Sequence, residues 1–158
     1  MQASRFLGCL LFKEDKPMTR REYREQVFKY IYSQQFFDET DSHDQVELLM
    51  ESGTTQIMDD DDSEISFSES DMEEIRSKVS DIMSHLPEID DKLSAASEGW
   101  KLSRMSKVDL AILRLATYEL LYDCLPEGVA IGEAVELAKK YGTDRSGSFV
   151  NGIMAKLV

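Results

Sequence analysis

The chain is poor in the side chains that usually carry catalysis or metal binding. Its 158 residues include two cysteines, two histidines and one tryptophan. Cys9 and Cys124 are too far apart for a metal motif and too few for a disulfide framework, which fits a reduced, cytoplasmic protein. His43 has no cysteine near it, and His85 falls at a helix end, where a surface or capping group fits better than a ligand. No Ser/His/Asp or Cys/His set stands out, and no Gly-rich strand-to-helix turn offers a cofactor cradle. Neither an enzyme nor a cofactor or metal site is expected. Long apolar runs are also missing. Residues 6–12 form an apolar stretch of about seven residues with only Arg5 ahead of it and no small-x-small cleavage site, unlike an export signal.

Positive charge is absent from one whole segment. Between Glu39 and Glu74 there are 14 acids and no Lys or Arg, which leaves 17 acids against 18 bases elsewhere. The net charge of −13 therefore belongs to one segment and does not exclude an anionic partner for the rest. Residues 59–62, Asp-Asp-Asp-Asp, lack the alternating ligands and turn glycine of a calcium loop. They read as a solvated acidic loop, about 53–70.

What is present is helical periodicity, with 42% hydrophobic residues to fill a core. The chain is organised around residues 106–122. From Val108 to Tyr122 only Asp109, Arg114, Thr117 and Glu119 are not apolar, so this helix is expected inside a bundle. It is too short to span a bilayer, which takes roughly 20 apolar residues. Ser106 is its expected cap, with Asp109 completing a capping box.

Residues 18–37 predict a first helix capped by Thr19 and Glu22, with Tyr23, Val27, Tyr30 and Ile31 as its apolar stripe, widened by Phe28 and Phe36. Arg20, Arg21 and Arg24 cluster at its start, against the positive end of the helix dipole. They read either as a solvated charged face or, beside Tyr23 and extended by Lys13 and Lys16, as an RNA phosphate cluster. A modest amphipathic helix is expected over residues 41–53. Further helices are expected over residues 72–85, stopped by Pro87, and over residues 89–96. Trp100 and Leu102 are expected to pack where two halves of the bundle meet. Helices over residues 129–140 and from the Thr143, Asp144 and Ser146 caps onward complete an all-α chain with no sheet.

Three segments in order, VDLAILRLATYELLY, VAIGEAVELAKKYG and FVNGIMAKL, closely resemble the NusB family of bacterial transcription antitermination factors. TRREYREQVFKYIYSQQ resembles the arginine-rich opening helix of that family. The likeness covers about two thirds of the chain. It implies a seven-helix bundle in two helical halves along a long first helix, as a single domain over residues 18–158. Residues 1–17 lie outside the likeness, as an extra N-terminal segment.

The resemblance further implies single-stranded boxA-like RNA from ribosomal leader transcripts as ligand. It implies the small-subunit ribosomal protein NusE as partner, and the antitermination complex of RNA polymerase as the assembly. No membrane is implied, and pairing of two copies through the RNA surface is a family alternative. Carried over by position, Arg20, Arg21, Arg24, Asp144, Arg145, Ser146 and Phe149 would face RNA. Arg104, Met105, Lys107 and Val108 would meet the ribosomal partner. Arg145 and Gly147 depart from the charge usual in that turn, and the acidic residues 59–62 have no clear counterpart. Two rival readings are an RNA-independent helical adaptor and the NusB-like module of an RNA methyltransferase. No cofactor-binding turn supports the second.

Overall fold

The computed structural model describes residues 17–37 and 67–158. Six α-helices occur among them: α1 (Arg20–Gln34), α2 (Glu69–Ser84), α3 (Leu86–Ala96), α4 (Lys107–Leu121), α5 (Glu127–Tyr141) and α6 (Ser146–Leu157), with a short 3-10 turn at Leu102–Arg104. No strand occurs among the described residues. The expected count of seven is thus six here, because the helix expected over residues 41–53 lies outside the described residues, as does most of the acidic stretch. The first helix is not especially long. At 15 residues it equals α4 and α5.

Local chemistry sets the helix starts. Thr19 accepts from the Glu22 backbone N–H at 3.2 Å, and the Glu22 carboxylate accepts from the Thr19 N–H at 2.7 Å. Ser68 and Asp71 close the same reciprocal box at the head of α2. Both boxes satisfy backbone donors that would otherwise be orphaned. Ser106 caps α4 by accepting from the Asp109 N–H at 3.1 Å, but the expected return bond from the Asp109 side chain is not made. Asp109 is instead buried, with one carboxylate oxygen lacking a hydrogen-bond partner. Pro87 sits in the first turn of α3, so the chain passes from α2 into α3 through the single residue His85. Proline has no N–H to lose at that position.

The helices share one continuous core. α4 lies at its centre, in contact with α1, α3, α5 and α6. Ala111, Ile112, Leu113 and Leu115 of α4 are buried with Phe28 and Ile31 of α1, Ile75 and Ile82 of α2, Ile89 and Leu93 of α3, and Val150 and Met154 of α6. Burying each such side chain contributes about 1.5–3 kcal/mol before the cost of ordering it. Two expected core residues lie outside. Phe36, past the end of α1, is 55% exposed, with Lys107 over its ring at 4.6 Å. Trp100 is 59% exposed and does not seal a junction, whereas Leu102 packs partly buried against the core.

Candidate nucleic-acid interface

The α1 arginines diverge. Successive helical residues turn by about 100°, so Arg20, Arg21 and Arg24 fall within one arc of about 100°, and what each side chain meets, not its place on the helix, separates them. Arg20 is exposed. The Arg21 side chain is 76% exposed and touches Glu133 of α5 at 3.5 Å. Arg24 turns inward. Its Nε donates to Glu119 Oε1 at 2.7 Å, and Nη1 lies 3.3 Å from Glu133 Oε2. Glu119 and Glu133 therefore absorb the charge that the dipole of α1 disfavours at that end. Burial raises the Glu119 pKa above the usual carboxylate value, and the adjacent Arg24 guanidinium opposes that shift.

Beside this pair lies a cleft of about 430 Å³ between the start of α1, α2 and the end of α4. Arg20, Tyr23, Lys78 and Asp123 line it together with the Arg24–Glu119 pair. Lys78 donates to both oxygens of Asp123 at 2.7 Å. Burial, followed by the fields of Glu74, Asp123 and Glu119, pushes the Tyr23 hydroxyl up to about 12. It stays a neutral donor at physiological pH. The cleft offers mixed charge with Arg20 among its lining, while exposed Arg21 lies outside it.

The second expected group sits at the turn between α5 and α6. α5 links it to the first, since Glu133 meets Arg21 and Gly142 ends the helix about 14 Å further along its axis. Asp144 and Arg145 are exposed at the tip of the turn. Ser146 is 2% exposed, and its Oγ accepts from the Thr143 N–H at 2.9 Å, so it builds the turn from within. Gly142 makes that possible. A Cβ there would lie 2.4 Å from Ser146 Oγ and 2.6 Å from the Ala138 carbonyl oxygen. Phe149, one helical turn after Arg145, is half-buried, with the Trp100 ring edge-on to it at 6.1 Å.

The third group, before α4, divides the same way. Arg104 and Lys107 are exposed, Met105 is buried in the core and Val108 is half-buried against it. Lys107 Nζ donates to the Gln35 carbonyl at 2.8 Å, and Gln35 Nε2 donates back to the Lys107 carbonyl at 2.8 Å, so the end of α1 and the start of α4 are clasped. The structure thus brings Arg20 and Arg21 to one surface, Asp144, Arg145 and Phe149 to another, and Arg104 and Lys107 to a third. It places Arg24, Met105 and Ser146 inside. Glu119 and Glu133 were not singled out from sequence as partners of Arg24; the acidic positions of α4 and α5 are legible there, but not which arginine they face.

Among the described residues no helix is long and apolar enough to cross a membrane, and no group of His, Cys, Asp and Glu is arranged to hold a metal ion.

Comparison with known proteins places this bundle. Residues 21–158 match the NusB family model. Transcription antitermination protein NusB of Agathobacter rectalis is 44% identical over 140 residues, covering 88% of this chain and 98% of the relative. The protein of the same name from Lachnoclostridium phytofermentans is 45% identical over 142 residues, covering 89% and 99%. The solved structure of T. maritima NusB matches with a TM-score of 0.70 at 37% identity, over 90% of this chain and 92% of that one. A chain in the crystal structure of a plectonemic RNA supercoil shares the fold, with a TM-score of 0.65 at 23% identity over 87% of this chain and 92% of that one. By the family model and by relatives matched along nearly their whole length, the chain belongs to the NusB family of transcription antitermination proteins.

Proposed function

We propose that this protein binds single-stranded boxA-like RNA together with the ribosomal protein NusE, and so joins the antitermination complex of RNA polymerase in the cytoplasm. The observation that carries this reading is the family match over residues 21–158, with transcription antitermination relatives matched along nearly their whole length. The exposed cations support it. Arg20, Arg21 and Arg145 project from stiff helix starts, where each can neutralise a phosphate without moving the core. Exposed Asp144 stands beside Arg145 and half-buried Phe149 offers a ring to an unstacked base. Arg24 and Ser146 serve by positioning, one fixing the start of α1 and the other shaping the α5–α6 turn. NusE docks at the clasp between α1 and α4 through Arg104 and Lys107, with Met105 and Val108 holding that segment from beneath.

The test is a titration of labelled boxA-like RNA, with and without NusE, at two salt concentrations. The expected result is a salt-sensitive complex that NusE tightens and a scrambled RNA forms less well. Changing Arg20 and Arg21 together to Ala should weaken RNA binding and flatten the dependence on log salt by about one unit for each phosphate no longer neutralised. NusE capture with no contribution from RNA would instead make the protein a helical adaptor. A second copy of the chain on the RNA surface would show as a dimer that RNA disperses.

A further inference from the structure

Trp100 is the chain's single tryptophan, and the fold spends strain to hold it in water. Glu98 and Gly99 are consecutive left-handed residues, with φ of 41° and 93°, just before it. Only glycine adopts that region without cost, so Glu98 is held there by its surroundings. Ser97 supplies the hold. It is 1% exposed, its Oγ donates to the Trp100 carbonyl at 2.9 Å, and its own carbonyl accepts from the Trp100 N–H at 3.2 Å. The backbone of Trp100 is thereby pinned while its indole stays 59% exposed. A large aromatic gains most by burial, so a stiff turn that keeps one outside does not serve the core.

The surroundings indicate what the indole can meet. Its neighbour is the Phe149 ring, at 6.1 Å with the two planes 71° apart, so the exposed indole lies beside a second aromatic. Lys101 follows Trp100 in the chain, and Arg145 precedes Phe149 by one turn of α6. Both are exposed, and neither makes an ion pair among the described residues. Gly152, one turn beyond Phe149, would carry a Cβ into open space, so packing does not require a glycine there and the helix surface beside the ring is flat. Aromatic faces rimmed by unpaired cations are the chemistry of single-stranded nucleic acid, in which bases stack and phosphates pair.

We infer that Trp100 and Phe149 form a two-ring stacking platform on which an unpaired RNA base is held, with Trp100 supplying the exposed face. The inference rests on the RNA reading above and extends it to a residue outside the arginine surface and the α5–α6 turn. Stacking tolerates any base, so the platform adds affinity and fixes the path of the strand; it does not read sequence.

The single tryptophan makes the test direct. The full-length protein with NusE is titrated with a fluorescein-labelled twelve-nucleotide boxA-like RNA, following RNA anisotropy and indole emission together. Emission should fall in step with the rise in anisotropy. Trp100→Ala should weaken binding about 5- to 100-fold with its salt slope unchanged, while Trp100→Phe keeps most of the affinity. Because the indole is exposed, both variants should keep the wild-type circular dichroism. RNA binding with unaltered emission and unchanged affinity in Trp100→Ala would overturn the platform and leave the RNA reading standing. Emission that responds to NusE alone, with Trp100→Ala weakening NusE capture, would reassign the indole to a protein contact. Absence of RNA binding by the wild-type complex would overturn both.

Discussion

Arg24 Nε donates to Glu119 Oε1 at 2.7 Å, and this pair joins the first helix to the central one with both side chains nearly buried, 13% and 11% exposed. Glu133 lies 3.3 Å from the same guanidinium, so one arginine ties α1, α4 and α5 together. A cluster that looks uniform in sequence is therefore divided, with Arg20 and Arg21 left for solvent and Arg24 committed to the fold.

That division can be tested by stability. Arg24→Met leaves Glu119 buried without its cation and should cost about 3 kcal/mol. Arg20→Ala and Arg21→Ala should each change stability by less than about 0.5 kcal/mol. Urea unfolding of the three variants gives the comparison. A mild loss in Arg24→Met would place its side chain in solvent.

The same pair gives a pH dependence with a definite sign. Burial raises the Glu119 pKa above its unfolded value, so the native state holds this proton more tightly than the unfolded chain. The contribution of Glu119 to stability is fully present below its unfolded pKa and is lost as pH rises through the folded one. Removing Arg24 takes away the opposing charge and moves that window upward. The deficit of Arg24→Met against wild type should therefore be smaller at pH 5 than at pH 7. A deficit that grows on acidification would contradict this assignment.

Gly142 leaves no room for a side chain. With a Cβ at 2.4 Å from Ser146 Oγ and 2.6 Å from the Ala138 carbonyl oxygen, Gly142→Ala must displace the first turn of α6. A loss of about 1–3 kcal/mol is expected, as for other overpacked sites. Gly152→Ala, whose Cβ meets nothing, should instead stabilise by a few tenths to about 1 kcal/mol. Thermal melts of the two variants should move in opposite directions.

Arg114 makes a forked pair with Asp90, at 2.9 Å and 2.8 Å, holding α3 against α4. Lysine cannot reproduce two parallel bonds, so Arg114→Lys should lose about 1 kcal/mol. Asp90→Asn should cost a similar amount, and the double variant less than the sum of the two. A double-mutant cycle measures that coupling.

Much of this was legible along the chain. The Thr19–Glu22 box, the apolar content of residues 108–122 and the Gly142 stop all depend on neighbours within about four positions. Local backbone chemistry determines such features, and a helix reports its buried stripe through its own period. The three segments that resemble NusB are also linear strings, which is why family membership could be read before any fold was in hand. Pairings between distant residues carry no such local signal. The partition of the α1 arginines depends on Glu119 and Glu133, some 95 and more positions away, and the ring that Trp100 meets, Phe149, comes from another helix. The sequence by itself determined the helices, their caps and the family. Only the tertiary structure decided which charges and which aromatic face the protein leaves free, because exposure depends on what packs opposite each side chain.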